Sequence, residues 1–176
     1  MSDISLVLGG ARSGKSGYAE KLATNTALPV TYIATAQVYD DEFKARIQHH
    51  KDRRPANWAL VEEPHHLSDM LARVAAPNQC VIVDCLTLWL AQWICADCKP
   101  PSNKSWQSER DAFLKLLPNL AGTIILVSNE VGMGIVPLGE INRQFQDEQG
   151  RINQAIAAIA NKVSFIAAGL PIMLKG

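Results

Sequence analysis

Near its start, the chain runs from an apolar segment directly into a glycine-rich loop that ends in Lys-Ser. The loop reads Gly9-Gly10-Ala11-Arg12-Ser13-Gly14-Lys15-Ser16 and fits the pattern G-x-x-x-x-G-K-[ST]. Residues 4–8 have the apolar character of a short buried strand, and residues 17–23 begin a helical pattern. Strand, loop and helix in this order form a P-loop, so the chain is predicted to be an α/β protein built around a phosphate-binding loop.

The residue types of this loop suit a nucleoside triphosphate. Glycines let backbone N–H groups approach an anion without an intervening Cβ, and the following helix directs its positive end toward phosphate. Lys15 is predicted to contact the β- and γ-phosphates, and the Ser16 hydroxyl is predicted to ligate Mg²⁺. The loop leaves open which phosphate is attacked.

Beyond the loop, strands and helices alternate along the chain. Apolar segments predict strands at 30–35, 58–62, 80–84, 123–128, 163–168 and 172–174, and helical periodicity predicts helices at 41–51, 65–75, 86–96, 106–117 and 140–161. This alternation indicates a mostly parallel sheet with helices on both faces. With 176 residues, the chain is expected to form one domain over 1–176.

Composition narrows the class of partner. Lys plus Arg equals Asp plus Glu at 17 each, so no basic field favours nucleic acid, and a small-molecule partner is expected. No apolar run reaches the length of a membrane span, and the N-terminus carries no basic region of a signal peptide. A cytoplasmic protein is therefore expected.

The four cysteines are too few and too clustered for a secreted disulfide framework, so reduced thiols are expected. Cys95 and Cys98 have half the spacing of a zinc site, but no second pair follows them. Cys80 and Cys85 flank an apolar run and are predicted to pack as small hydrophobic residues.

An acid and a histidine extend the predicted site. Asp84 ends the strand 80–84, where P-loop proteins place an acid that holds Mg²⁺, although ordinary strands also end in acids. His50 shares one stripe of the predicted helix 41–51 with two apolar residues, Phe43 and Ile47. Cations that suit a phosphate surround it: Arg46, Lys51, Arg53 and Arg54. The histidine can be a general base, a nucleophile toward phosphorus or a structural residue, and spacing alone does not choose.

A glycine-punctuated loop, residues 129–137, follows the predicted strand 123–128. It leaves the carboxyl end of that strand, the edge at which open α/β sheets bind ligands. Its two glycines and Glu130 indicate either a mobile segment on the substrate side or a plain turn.

Four segments together resemble the bifunctional adenosylcobinamide kinase and adenosylcobinamide-phosphate guanylyltransferase family of cobalamin biosynthesis. They are Gly9-Gly10-Ala11-Arg12-Ser13-Gly14-Lys15-Ser16, Tyr32-Ile33-Ala34-Thr35-Ala36, Arg46-Ile47-Gln48-His49-His50-Lys51-Asp52-Arg53-Arg54-Pro55, and Ser128-Asn129-Glu130-Val131-Gly132-Met133-Gly134-Ile135-Val136-Pro137. The resemblance spans nearly the whole chain in the family's order. It implies a P-loop NTPase-like fold and two reactions on one scaffold.

In the first implied reaction, the aminopropanol hydroxyl of adenosylcobinamide takes the γ-phosphoryl group of ATP or GTP. In the second, GTP transfers GMP to a histidine, pyrophosphate leaves, and adenosylcobinamide phosphate attacks to give adenosylcobinamide-GDP. The resemblance places the guanylylated histidine at His50. Together with the P-loop pattern and the acid that ends strand 80–84, it predicts Lys15 as a catalytic residue and Ser16 and Asp84 as Mg²⁺ ligands. It implies nucleotide contacts at Gly9, Gly10, Ala11, Arg12, Ser13, Gly14, Lys15, Ser16, Ala34, Thr35, Ala36, Lys51, Asp52, Arg53, Arg54, Glu62 and Asp84.

The family also implies a homo-oligomer, with a trimer reported for its members. The apolar helix 86–96, with Trp89 and Trp93, is a candidate subunit contact, although a tryptophan pair also suits a core. Two other functions stay open from the residues alone. One is an ordinary P-loop small-molecule kinase without a covalent intermediate, and the other is a nucleotide-switched binding module.

Overall fold

A computed structural model describes residues 2–36, 55–95, 100–101 and 103–176. The predicted helix 41–51, with His50, and all four cations named around it lie outside the described residues. The strands are β1 (Asp3–Gly9), β2 (Val30–Ala34), β3 (Ala59–Glu62), β4 (Cys80–Asp84), β5 (Thr123–Asn129), β6 (Lys162–Ala167) and β7 (Leu170–Lys175). The helices are α1 (Lys15–Asn25), α2 (Leu67–Val74), α3 (Leu86–Ile94), α4 (Trp106–Leu116) and α5 (Glu140–Ile159), and a 3₁₀ turn spans Leu117–Asn119.

The strands form one sheet in the order β3-β2-β4-β5-β1-β6-β7. All neighbouring strands run parallel except β6 and β7, which are antiparallel. The predicted, mostly parallel α/β sheet is therefore confirmed. Because parallel strands share a direction, the carboxyl ends of β1 through β5 meet at one edge, where the predicted site residues follow them.

The core lies on both faces of this sheet. Alternate strand residues such as Leu6 and Val83 pack under α2, α3, α4 and α5. The intervening residues, among them Val7 and Ile82, pack under α1. Buried parallel strands covered on both faces read as continuous apolar runs, which is why the sequence marks them clearly.

Helix α3 belongs to this core, which favours the core over the subunit contact as the role of its tryptophan pair. Trp89 is fully buried and Trp93 is 8% exposed. The ring centroid of Trp89 lies 4.9 Å from that of Trp106 and 5.0 Å from that of Phe113, both on α4. A helix that is apolar all round is enclosed here by the chain's own helices, which leaves little of it for a partner.

The three cysteines that the structure describes, Cys80, Cys85 and Cys95, divide into two groups. Cys80 and Cys85 are free and buried, as predicted, and burial raises the pKa of their thiols to about 11 and about 12. Cys95 is disulfide-bonded, so the expectation of a reduced thiol is wrong there. Cys95 follows α3 at the exposed surface, where a thiol can reach a second thiol, whereas the core encloses the other two.

Within the described ranges, no helix combines the length and apolar character needed to cross a membrane.

Candidate functional site

The end of β6 and the turn between β6 and β7 pack against the P-loop. Gly9 has a φ of 155°, and a Cβ there would lie 2.5 Å from the carbonyl oxygen of Ile166. Gly14 has a φ of 97°, and a Cβ there would lie 3.1 Å from the Cα of Gly169. The Gly169 N–H also donates to the Ser13 carbonyl at 2.8 Å. The two glycines of the motif are thus required by the backbone conformation and by the neighbouring turn.

Lys15 begins α1 and is only 8% exposed. Its Nζ donates to the Gly10 carbonyl at 2.7 Å, so the ammonium lies over the loop. The described part of the chain supplies no side-chain cap for α1, whose N-cap is Gly14. Uncapped N–H groups at a helix N-terminus, together with a buried ammonium, make this loop a site for an anion.

The Ser13 hydroxyl is a further buried polar group in the loop. Its Oγ has no hydrogen-bond partner among the described residues. A buried hydroxyl without a partner is costly unless a ligand or water completes it. Gly10, Ala11, Arg12 and Ser16 complete the loop, and Arg12 is exposed with a φ of 54°.

Asp84 stands at the carboxyl end of β4. Tyr32 on β2 and Thr35, directly after β2, make hydrogen bonds that fix this end of the strand. The Tyr32 hydroxyl donates to Asp84 Oδ2 at 2.6 Å. The Thr35 hydroxyl is buried and donates to the Cys85 carbonyl at 2.7 Å, and the Thr35 N–H donates to the Asp84 carbonyl at 3.3 Å. Thr35, predicted as a nucleotide contact, therefore has its hydroxyl committed to the turn that follows Asp84.

The 129–137 loop lies beside the P-loop because β5 is inserted between β1 and β4. Asn129 stands opposite Gly9 in the strand register, and the Glu130 N–H donates to the Gly9 carbonyl at 3.1 Å. The Glu130 carboxylate accepts from the Gly132 N–H at 2.6 Å and so shapes the start of the loop. Sequence reasoning placed this loop at the correct edge but could not name its neighbour.

A buried polar network fixes the end of β5, and sequence reasoning missed it. The Ser128 hydroxyl donates to Asn153 Oδ1 at 2.7 Å, and Gln149 Nε2 donates to the Ser128 hydroxyl at 2.8 Å. Asn153 Nδ2 donates to the Asn129 carbonyl at 3.1 Å. The signal available in the sequence was spacing: Gln149 and Asn153 are four residues apart, about one helical turn, and so share one face of α5. The structure shows that this face is buried.

The remaining predicted contacts lie farther along the same edge. Ala34 stands opposite Asp84 on one side and opposite Glu62 on the other, and Ala36 follows two residues later. Glu62 ends the edge strand β3, four strands from β1, which corresponds to roughly 19 Å at 4.8 Å per strand. By the same count, Asp84 on β4 lies two strands from β1, roughly 10 Å away, so it is nearer to the P-loop than Glu62 is. The other predicted contacts, His50, Lys51, Asp52, Arg53 and Arg54, lie outside the described residues.

Comparison with known proteins identifies the family. The model of the family described as cobinamide kinase / cobinamide phosphate guanyltransferase matches residues 5–174. The bifunctional adenosylcobalamin biosynthesis protein CobP of Pseudomonas aeruginosa is 50% identical over 171 residues, which cover 97% of this chain and 96% of that protein. The corresponding protein CobU of Escherichia coli is 38% identical over 179 residues, covering 97% of this chain and 98% of that protein.

Among solved structures, a prototypical ATPase from the type III secretion system of pathogenic bacteria shares the fold. The TM-score is 0.54 at 10% identity, and the match covers 97% of this chain and 56% of that one. Taken together, the matches show that the chain belongs to the cobinamide kinase / cobinamide phosphate guanyltransferase family of bifunctional enzymes in adenosylcobalamin biosynthesis.

Proposed function

We propose that this enzyme phosphorylates adenosylcobinamide with ATP or GTP and then transfers GMP from GTP to adenosylcobinamide phosphate. The product of the second step is adenosylcobinamide-GDP. The observation that carries the proposal is the P-loop, whose Lys15 ammonium lies over the loop at 2.7 Å from the Gly10 carbonyl. The family match over residues 5–174 supports the identity of the acceptor.

For the kinase step, the acceptor hydroxyl attacks the γ-phosphorus, the bond from that phosphorus to the bridging oxygen breaks, and the nucleoside diphosphate leaves. Lys15 and the N-terminal N–H groups of α1 hold the phosphates and offset their charge. Catalysis of the kinase step therefore depends on positioning and electrostatics, and no covalent bond to the protein is needed.

The residues present suit Mg²⁺ bound with a nucleotide. The described residues contain no group of three or more His, Cys, Asp or Glu side chains that could cage a metal ion. Mg²⁺ takes only one or two protein oxygens when phosphates and water supply the rest, and Ser16 and Asp84 would be those oxygens. When bound, the ion neutralises charge on the phosphates.

For the guanylyl transfer, we propose His50 as the nucleophile toward the α-phosphorus of GTP. A nitrogen–phosphorus bond forms as pyrophosphate leaves, and a phosphate oxygen of adenosylcobinamide phosphate then displaces the histidine. The support is the predicted helical stripe that His50 shares with Phe43 and Ile47, the cations near it in the sequence, and the family match that covers residue 50. We also propose nucleotide contacts at Lys51, Asp52, Arg53, Arg54 and Glu62, as the resemblance to the family implies.

Incubation with GTP labelled at the α-phosphorus tests the nucleophile. The wild-type enzyme is expected to retain an acid-labile, base-stable label, and His50→Asn is expected to lose it. The adjacent His49→Asn serves as the matched control and is expected to keep the label. His50→Asn is further expected to keep measurable kinase activity, because phosphoryl transfer depends on the P-loop.

Each contrary result has a distinct meaning. Normal labelling of His50→Asn with loss in His49→Asn would move the nucleophile by one residue. Phosphorylation of adenosylcobinamide without any protein adduct would favour the ordinary kinase, and nucleotide binding without turnover would favour the binding module.

We propose a homo-oligomer as well, with a trimer implied by the resemblance to the family. The edge strand β7 supports this: Leu170, Ile172, Met173 and Leu174 are 51–70% exposed in the single chain. An exposed apolar edge strand pairs readily with another chain. Sedimentation equilibrium measures the stoichiometry, and a monomer at micromolar concentration would contradict the proposal.

A further inference from the structure

The segment after β5 presents a run of exposed apolar side chains. Residues 131–138, here called the apolar loop, read Val-Gly-Met-Gly-Ile-Val-Pro-Leu and contain no charged residue. Met133 is 79% exposed, Val136 is 63% exposed, and Ile135 and Leu138 are each 97% exposed. Contiguous exposed apolar side chains of this kind mark a surface that meets a ligand or a partner.

Hydrogen bonds hold the backbone of this loop at both ends. At its start, Gln146 Nε2 donates to the Val131 carbonyl at 2.9 Å. At its end, Arg143 Nη1 donates to the Pro137 carbonyl at 3.3 Å and also to the Leu138 carbonyl. The backbone is therefore tied to α5 while the side chains point into solvent.

The loop also borders the phosphate site. Glu130, immediately before it, donates its N–H to the Gly9 carbonyl of the P-loop at 3.1 Å. The hydroxyl that attacks a phosphate must come within about 3–3.5 Å of the phosphorus, so the body of the acceptor rests on surfaces that adjoin the P-loop. The apolar loop is such a surface.

A shallow cavity continues from the far end of the loop. Its volume is about 550 Å³, within the range of about 300–1,000 Å³ typical of small-molecule sites. It is lined by Cys95, Gly139, Glu140, Ile141 and Asn142. Loop and cavity together offer an extended, mainly apolar contact area rather than a point contact.

We propose that the apolar loop and this cavity bind the corrin ring of adenosylcobinamide; this inference rests on the proposed function. A corrin macrocycle has a conjugated inner ring bordered by saturated carbons that bear methyl groups, and it carries neutral amides at its rim. The uncharged aliphatic side chains of the apolar loop match the methyl groups, and Glu140 and Asn142 in the cavity suit the amides. These side chains offer no cation to a triphosphate. The loop thus binds the acceptor while the P-loop binds the donor.

The test replaces the two most exposed side chains, in the variant Ile135→Ser/Leu138→Ser. Binding of adenosylcobinamide is measured by equilibrium dialysis with a non-hydrolysable ATP analogue present, using the visible absorbance of the corrin. The dissociation constant is expected to rise about 10- to 100-fold, because a one-sided contact removes about half of each side chain from water. The affinity for the ATP analogue is expected to stay within about twofold, since the loop contributes no phosphate contact in this proposal.

Leu60→Ser is the matched control, because Leu60 is 43% exposed on β3 at one edge of the sheet. It is expected to leave the affinity for adenosylcobinamide unchanged. Equal affinities in the loop variant and the control would overturn the inference, and a lower sedimentation mass alongside them would reassign the loop to a subunit contact. If the wild-type enzyme neither binds nor phosphorylates adenosylcobinamide, the proposed function fails together with the inference.

Discussion

The hydroxyl of Tyr32 is expected to set the orientation of the Asp84 carboxylate toward Mg²⁺. The residue is 3% exposed and its hydroxyl lies 2.6 Å from Asp84 Oδ2. Tyr32→Phe removes this donor and leaves the ring in place, so no cavity forms. A hydrogen bond to a charged group contributes about 1.5–3 kcal/mol, and we expect the lower end because water can replace the hydroxyl at the half-buried Asp84.

If the free energy of this hydrogen bond serves to orient the Asp84 carboxylate, Tyr32→Phe binds Mg²⁺ more weakly and needs a higher Mg²⁺ concentration for kinase activity. At about 1.4 kcal/mol per factor of ten, the Mg²⁺ concentration for half-maximal kinase activity is expected to rise about tenfold. The rate at saturating Mg²⁺ is expected to fall less, because the carboxylate itself remains.

The assay is a Mg²⁺ titration of kinase activity at fixed nucleotide, run beside thermal unfolding. Tyr18→Phe is the matched control, since Tyr18 lies on α1, partly buried against the core, and its hydroxyl makes no hydrogen bond among the described residues. An unchanged Mg²⁺ dependence in Tyr32→Phe, with a lower melting temperature, would refute the reasoning and leave the hydroxyl a role in stability alone.

Two glycines and one buried acid give further expectations. Gly14→Ala forces a side chain onto a φ of 97°, so we expect the free energy of unfolding to fall by about 1–2 kcal/mol and nucleotide binding to weaken. Gly150→Ala lies in the interior of α5 with nothing within 4 Å of a new Cβ, so we expect the free energy of unfolding to rise by about 1 kcal/mol. Thermal unfolding that moved both variants in the same direction would contradict this contrast. Burial opposes ionisation of Glu148, but hydrogen bonds outweigh it and lower its pKa from the usual 4.5, so its contribution to stability is present above pH 4.5 and is lost as the pH falls through the lowered value. Glu148→Gln is therefore expected to be less stable than the wild type at pH 7 and to lose less stability below pH 4.5. Denaturant titrations at several pH values measure both effects. If the variant loses as much stability below pH 4.5 as the wild type does, Glu148 is not the source of that loss. The donors to Glu148 are Trp106, Arg110 and Arg151.

Local patterns were sufficient for much of the fold. The P-loop could be predicted because its conformation demands glycine at positions 9 and 14 and places Lys15 at the first turn of a helix. The parallel strands could be predicted because burial on both faces makes each one a continuous apolar run. These signals are short in range and need no knowledge of neighbouring strands.

The missing parts depend on contacts between distant segments. Nothing near Tyr32 in the sequence indicates that it meets Asp84, 52 residues later. The burial of Trp89 could not be predicted either, because an apolar helix can face the chain's own core or another subunit. Cys95 shows the same limit, since sequence spacing does not reveal which thiols reach the surface.

The support of the P-loop by the turn between β6 and β7 has a consequence for the order of folding during synthesis. Strand β1 is central and pairs with β5 and β6, so residues 5–9 acquire their second neighbour only when residues 162–166 are present. Gly169, which donates to the Ser13 carbonyl, comes later still. A nascent chain released at residue 150 would contain the whole phosphate motif and yet lack the strand and turn that shape it. Nucleotide affinity would therefore report on completion of the C-terminal hairpin, although the motif itself lies within the first 16 residues.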